Sequence, residues 1–207
     1  MSDPISLREA EKKAFTSLHN DGLWDIMIGS ILLIIALAPG LSDRLGDFWS
    51  SFIFLPVWGV LYLVILWVRK SVVAPRLGSA QFSQRRNARL HKLTILLILV
   101  NIVALVLGSL VLVLGWTSGW LVPALFSLIL VGGFSLAAYW VDMNRLYVYG
   151  LLAGMAPLAG EWLYRQELAG HHGYPLTFGI TSGVIILVGI GMFIHMLMHN
   201  PLPTPEA

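Results

Sequence analysis

The stretch LTILLILVNIVALVLGSLVLVL, residues 93–114, decides the class of this protein, because it has no charged residue and one large polar side chain, Asn101. An apolar run of this length crosses the ~30 Å hydrocarbon core of a bilayer as one α-helix. Five other apolar stretches of similar length lie at Leu23–Pro39, Phe52–Val68, Leu121–Trp140, Leu146–Tyr164 and Leu176–Met198. The sequence therefore predicts an all-α polytopic membrane protein with six transmembrane helices.

The composition excludes several classes of function. The 207 residues are 57% hydrophobic and 12% charged, about half the charged fraction of an ordinary soluble domain. The chain has no cysteine, which excludes disulfides, thiolate metal sites and thiol catalysis. Its first twenty residues contain no apolar core of a signal peptide, so we expect no cleaved signal.

The chain divides into three segments. Residues 1–22 are predicted to form an amphipathic helix on the cytoplasmic leaflet, because apolar side chains recur there every three or four residues and Asp3-Pro4 is typical of a helix start. A helix on the surface of a soluble domain would show the same pattern. Residues 23–199 follow as the six-helix transmembrane domain, and residues 200–207 form a short cytoplasmic tail.

The distribution of Lys and Arg predicts the orientation. The connection RKSVVAPRLGSAQFSQRRNARLHK, residues 69–92, holds seven of the thirteen and no acidic residue. Three more lie in the N-terminal segment and one in the fourth connection, whereas the opposite side has only Arg44 and Arg165. Because basic connections stay inside, both termini are predicted to be cytoplasmic, in an inner or plasma membrane.

The second half of this connection predicts a basic surface. Ser83 is a plausible N-cap, so the third transmembrane helix is expected to begin well before the membrane. Arg85, Arg89 and Lys92 would then share one helix face, with Arg86 beside them. We call these four residues the basic ridge and expect it to bind anionic lipid headgroups or an acidic partner, at about 1 kcal/mol per charge near an anionic leaflet. Nucleic-acid binding is not predicted, because the charges are not interleaved with aromatic or base-reading groups.

Three polar side chains inside the apolar stretches are candidates for a transport or polar path: Asp25, Asn101 and Glu161. Asp25 begins the first stretch at the level of Arg69-Lys70, and an ion pair with these cations is the main expectation. A cation-binding or proton-relay carboxylate is the alternative.

Asn101 lies in a row of small and polar residues spaced by sevens, Thr94, Asn101, Gly108 and Gly115. Such a row favours close helix contact, and a hydrogen bond from Asn101 to another helix is predicted, with the lining of a transport path as the alternative. Small residues four apart also predict close packing at Gly133/Ala137, Gly150/Gly154 and Gly179/Gly183.

Glu161 precedes Arg165 by four residues, the favourable order for an ion pair along a helix. The alternative is a small site on the outer side of the membrane in which Glu161 is joined by His171, His172 and Tyr174. This second interpretation is favoured by Gly and Pro residues nearby, which allow close approach and free a backbone carbonyl.

Catalytic and metal sites have weak support. His195 and His199 have the four-residue spacing that can present two nitrogens to a metal, and are the weak metal candidates. No metalloprotease, phosphate-loop or nucleophile motif is present, and no cofactor is predicted.

The leading functional hypothesis is a non-catalytic binding or assembly subunit that forms homo- or hetero-oligomers through helix packing and the basic cytoplasmic face. A small transporter or permease component is second, and an intramembrane enzyme is third.

Overall fold

The computed structural model describes residues 21–77, 84–115 and 119–201. The predicted amphipathic helix lies almost wholly outside this range, as does most of the C-terminal tail. The described residues are helical and contain no β-strand. Their helices are α1 (Leu23–Leu45), α2 (Asp47–Val68), a π-helical turn (Arg69–Val73), α3 (Ala74–Leu77), α4 (Gln84–Val113), α5 (Leu121–Val141), α6 (Arg145–Arg165), a short turn (His171–Gly173) and α7 (Tyr174–His199).

Among the described residues, five helical segments are long and apolar enough to cross a membrane, which confirms the all-α character and supports a multi-pass membrane protein. They lie at Leu23–Leu45, Phe52–Arg76, His91–Val111, Leu121–Val141 and His171–His199. The predicted fifth span, Leu146–Tyr164, is helical as α6 but is not among the five. It carries Glu161 and lies between Arg145 and Arg165, so it is less apolar than the others.

Helix α6 is central to one compact unit, which comprises, among the described residues, 35–40, 84–115 and 119–181. Its buried residues recur at helical spacing: Leu146, Tyr149, Gly150, Ala153, Gly154, Ala156, Pro157, Gly160 and Glu161. A Cβ on Gly150 would lie 2.7 Å from the Cβ of Phe134, and one on Gly154 would meet the Val131 side chain. The hydroxyl of Ser127 donates to the Gly154 carbonyl. The predicted close packing at Gly150/Gly154 is therefore confirmed, with α5 as the neighbour.

The other compact unit comprises, among the described residues, 21–34, 41–77 and 182–201. Leu23, Val73 and Met196 form its buried apolar cluster. Gly22 meets Gly189 so closely that a Cβ on Gly189 would lie 2.8 Å from the Gly22 carbonyl oxygen. The first turn of α1 thus packs directly on the last turns of α7.

The other two small-residue pairs make no comparable contact. A Cβ on Gly133 or Gly183 would have no neighbour within 4 Å, and one on Gly179 would reach only the Ala36 methyl group, at 4.0 Å. Four-residue spacing alone therefore did not identify which glycines touch another helix.

Helices α2 and α4 are covered least by the rest of the chain. No residue from Phe52 to Val68 is buried. Among the described side chains of α4 from His91 to Val113, only Leu93 and Val111 are buried. Both helices therefore present broad apolar surfaces to their surroundings.

Candidate functional site

Glu161 is the centre of the most developed polar site among the described residues. Its side chain lies near the C-terminal end of α6 and the residue is only 5% exposed. Oε1 accepts a hydrogen bond of 2.8 Å from Nε of Arg165, which confirms the predicted ion pair. Oε2 lies 2.9 Å from Nδ1 of His172. The structure therefore gives each carboxylate oxygen its own cationic or protonatable partner.

His172 reaches Glu161 because of an unusual turn between α6 and α7. His171, His172 and Gly173 all have positive φ, at 50°, 52° and 65°. The left-handed conformation costs a non-glycine residue about 1–2 kcal/mol, so contacts elsewhere must offset it. A Cβ on Gly173 would lie 2.5 Å from the carbonyl oxygen of Gly160, so the turn is pressed directly against α6.

Aromatic rings surround the two partners of Glu161. The imidazole of His172 lies 4.4 Å from the ring centre of Tyr164 and 5.9 Å from that of Tyr174. The guanidinium of Arg165 lies 5.2 Å over the ring of Trp120, in cation–π geometry. The structure therefore brings together Glu161, His172 and Tyr174, three of the four residues of the predicted small site, and its place on the outer side of the membrane stays a prediction. Tyr164 and Trp120 were not anticipated, although Tyr164 lies three residues after Glu161, on the same helix face.

His172 presents one ring nitrogen to Glu161 and leaves the other accessible. A carboxylate on Nδ1 favours the tautomer that leaves Nε2 as the acceptor. Nε2 has no hydrogen-bond partner among the described residues, and the side chain of His172 is 55% exposed. The second nitrogen can therefore accept a hydrogen bond from outside while the first stays on Glu161.

A second charged cluster lies where α1 begins. Asp21 and Asp25 are both fully buried. Oδ1 of Asp21 accepts a hydrogen bond of 3.0 Å from the Leu23 amide, and Oδ2 lies 3.8 Å from Nε of Arg69. The guanidinium of Arg69 is also 5.8 Å from the ring centre of Trp24.

The structure pairs Arg69 with Asp21, and the predicted ion pair of Asp25 with Arg69-Lys70 stays a prediction. Gly22 has φ 76° and folds Asp21 back beside the helix start, which brings its carboxylate to Arg69. An Asp-Gly pair before an apolar run is a recognisable helix-start signal and would have identified Asp21.

Asn101 does not make the predicted contact with another helix. Its amide nitrogen donates a hydrogen bond of 2.9 Å to the Leu97 carbonyl of the same helix, and the side chain is exposed. Within its compact unit, Asn101 is therefore not joined to Glu161, whose two oxygens are held by Arg165 and His172.

The basic ridge lies at the start of α4. The helix is described from Gln84, so Arg85, Arg86, Arg89 and Lys92 all belong to it, whereas the predicted N-cap Ser83 lies outside the described residues. Lys92 is exposed. The side chains of the three arginines lie outside the described features, so the binding role of the ridge stays a prediction.

The histidine pair of α7 shows no metal site in the described part of the chain. The rings of His195 and His199 stack with centres 3.9 Å apart, and Nδ1 of His199 lies 2.9 Å from the His195 carbonyl oxygen. No group of three or more His, Cys, Asp or Glu that could hold a metal occurs among the described residues.

Comparison with known proteins adds no family: no family model, no curated protein and no solved structure matches the chain. A function for this protein must therefore be argued from its own surfaces and sites.

Proposed function

We propose that the protein is a non-catalytic, multi-pass membrane subunit that assembles with other membrane helices, from further copies of itself or from a different protein. The exposed polar face of α4, centred on Asn101, carries this proposal. In this proposal α6 is the fifth of six spans, both termini are cytoplasmic, and residues 1–22 lie as an amphipathic helix on the inner leaflet.

The apolar surface of α4 does not by itself require a protein partner, because lipid tails are as apolar as leucine. Asn101 is different. It lies near the middle of the apolar stretch, where an amide that hydrogen-bonds only its own helix is costly in hydrocarbon. A partner helix with a polar group would satisfy it.

Gly108, seven residues further along the same face, would allow that partner to approach closely. A Cβ at Gly108 would have no neighbour within 4 Å, so the space beside it is open in the single chain. An amide with a small residue two turns away is a common arrangement at membrane helix interfaces.

The distribution of charge supports the orientation in this proposal. Eleven of the thirteen Lys and Arg fall on the side assigned to the cytoplasm. The basic ridge would hold the start of α4 at anionic headgroups, which fixes the depth of Asn101 in the bilayer. We do not propose a transport path through Asp25, Asn101 and Glu161. Asn101 is exposed, and both carboxylate oxygens of Glu161 are bound by side chains of the same site.

Assembly through α4 can be tested with a crosslinker on a single introduced cysteine, because the chain has no cysteine of its own. Leu105 lies four residues from Asn101 on the same face and is 71% exposed, whereas Val103 lies on the opposite face and is also exposed. In native membranes, a photo-crosslinker on Leu105→Cys should capture a second copy or another protein, and one on Val103→Cys should not. The Leu105 crosslink should be lost when Asn101→Leu is added. Equal capture from both faces, or adducts with lipid alone, would contradict assembly through α4.

The basic ridge has a separate test. Replacement of Arg85, Arg86 and Arg89 by Glu should invert or destabilise the insertion of α4, because a basic connection is what keeps this side inside. Labelling with a membrane-impermeant thiol reagent would detect the change, using single cysteines introduced at Ser71 in the basic connection and at Leu168 in the fifth connection, both of which are exposed. Unchanged labelling would show that the ridge does not set the topology.

A further inference from the structure

Asn101 uses only part of its hydrogen-bonding capacity within the chain. An asparagine amide has two N–H donors and an oxygen with two lone pairs. Nδ2 donates one hydrogen bond, of 2.9 Å, to the Leu97 carbonyl of its own helix. The second N–H and the amide oxygen have no partner among the described residues. The exposed side chain therefore offers a donor and an acceptor side by side on the surface of α4.

The membrane restricts how a second copy of the chain can approach this amide. Every copy inserts in the same direction, because the same basic connections set its orientation. A two-fold axis that relates two copies must then run along the membrane normal. Two α4 helices that meet across this axis are parallel, with equivalent residues at the same depth, so Asn101 of one copy meets Asn101 of the other.

One asparagine amide is complementary to another. The free N–H of each copy can donate to the amide oxygen of the other, so two Asn101 side chains form a reciprocal pair from the groups that the single chain leaves unused. A different protein would need a polar side chain of its own at this depth, whereas a second copy always brings one. The pair satisfies both amides in hydrocarbon, and a buried asparagine pair of this kind fixes the register of two parallel helices.

The residues around Asn101 allow two α4 helices to come close. Gly108 lies two turns further along the helix, and a Cβ there would meet nothing within 4 Å, so a second backbone can approach. Leu105 lies between them and is 71% exposed. Lys92, the described cation of the basic ridge, is nine residues before Asn101 and therefore lies on the opposite side of α4. Its charge is not brought against its own copy.

We infer that the protein forms a symmetric dimer in which α4 packs in parallel against α4 of a second copy, joined by a reciprocal pair of hydrogen bonds between the two Asn101 amides. This inference rests on the proposed function, because it names the partner of the α4 face. A different protein, or a head-to-tail array of copies, would not place Asn101 against Asn101.

Disulfide formation between single introduced cysteines tests the symmetry. Ile98 and Leu105 lie on the Asn101 face and are 55% and 71% exposed. Their next neighbours, Leu99 and Val106, are 54% and 49% exposed and are turned about 100° around the helix at nearly the same depth. In native membranes under mild oxidation, cysteines at the first two positions should form disulfide-linked dimers. Cysteines at the other two should not, because sulfurs that point apart cannot be bridged.

The same experiment separates the symmetric dimer from assembly in general. If the photo-crosslinker at Leu105 captures a protein but neither Ile98→Cys nor Leu105→Cys forms a dimer, assembly through α4 stands and the symmetric dimer is overturned. If the photo-crosslinker captures lipid alone and no disulfide forms, both proposals fail. Equal disulfide formation at all four positions would indicate random collision and would also overturn the dimer.

The contribution of the amide pair can be measured by energy transfer between full-length copies labelled at Leu168→Cys in detergent micelles. Leu168 is 69% exposed in the connection after α6, and the chain has no native cysteine to interfere. Asn101→Leu should raise the dissociation constant of the dimer about tenfold, the effect of losing a hydrogen bond between membrane helices. Asn101→Gln keeps an amide and should retain most of the affinity. An unchanged dissociation constant in Asn101→Leu would overturn the amide pair.

Two further substitutions on α4 serve as matched variants. The hydroxyl of Ser109 donates a hydrogen bond of 2.8 Å to the Leu105 carbonyl of its own helix, so Ser109→Ala should leave the dissociation constant unchanged. Gly108→Leu should weaken the dimer, and the open space around this position means that the single chain keeps its fold. A dimer that tolerates Gly108→Leu, or that Ser109→Ala weakens as much as Asn101→Leu does, would overturn the inference.

Discussion

The two compact units of the protein each contain a buried carboxylate, an arginine and a tryptophan. One set is Asp21, Arg69 and Trp24, and the other is Glu161, Arg165 and Trp120. In both sets the arginine lies between the acid and the indole ring. Similar residue types have therefore been placed twice, in settings that give them different roles.

The two clusters differ in what the carboxylate oxygens bind. Asp21 directs one oxygen to the Leu23 amide, and the other is 3.8 Å from Arg69. Glu161 directs both oxygens to side chains, at 2.8 and 2.9 Å. The Asp21 cluster is thus first of all the start of α1, whereas the Glu161 cluster ties a connection to a helix. What the second carboxylate oxygen binds, and not the residue types, therefore decides the role of each cluster.

The largest expected effect concerns the glycine beside the Asp21 cluster. Gly22→Ala would place a Cβ against the Gly189 carbonyl in addition to straining φ, so we expect the free energy of unfolding to fall by about 3 kcal/mol. Gly115 has a similar φ of 67° but open space around it, so Gly115→Ala should cost only about 1 kcal/mol. Unfolding in mixed detergent micelles gives both values. Equal losses would show that the close contact with Gly189 does not stabilise this end of α1.

The next effect tests the Glu161 cluster. Glu161→Gln removes the charge shared by Arg165 and His172 and should lower the free energy of unfolding by about 2 kcal/mol. This is less than the 3–5 kcal/mol typical of a fully buried pair, because both partners are partly exposed. A double-mutant cycle with His172→Asn should give a coupling of about 1 kcal/mol at pH 6. A coupling near zero would mean that the contact between Glu161 and His172 contributes nothing to stability.

Much of this fold could be predicted from the sequence because the relevant signals are local. Helix α6 runs from Arg145 to Arg165, against a predicted stretch of Leu146–Tyr164. The ion pair of Glu161 with Arg165 follows from four-residue spacing on one helix. Five of the six predicted spans were found because length and hydrophobicity depend only on neighbouring residues.

Contacts between distant residues could not be predicted with the same success. The pairing of Arg69 depends on the turn at Gly22 and on a π-helical turn that begins at Arg69, and no sequence pattern signalled that turn. Whether Asn101 meets another helix depends on how α4 is rotated against α5, and hydrophobicity on all sides of α4 does not specify this rotation. His172 reached Glu161 through a left-handed turn that histidine seldom adopts, so the grouping could be offered only as an alternative.

The smallest expected effect separates the two roles of Asp21. Asp21→Asn keeps an oxygen that can accept from the Leu23 amide and removes only the charge opposite Arg69. Asp21→Ala removes both, so it should lower the free energy of unfolding by about 1 kcal/mol more than Asp21→Asn, in line with the loss of one buried hydrogen bond. The same micelle titration measures this difference. If Asn were as harmful as Ala, the charge would matter more than the hydrogen bond to the Leu23 amide, and the Asp21 cluster would work in the same way as the Glu161 cluster.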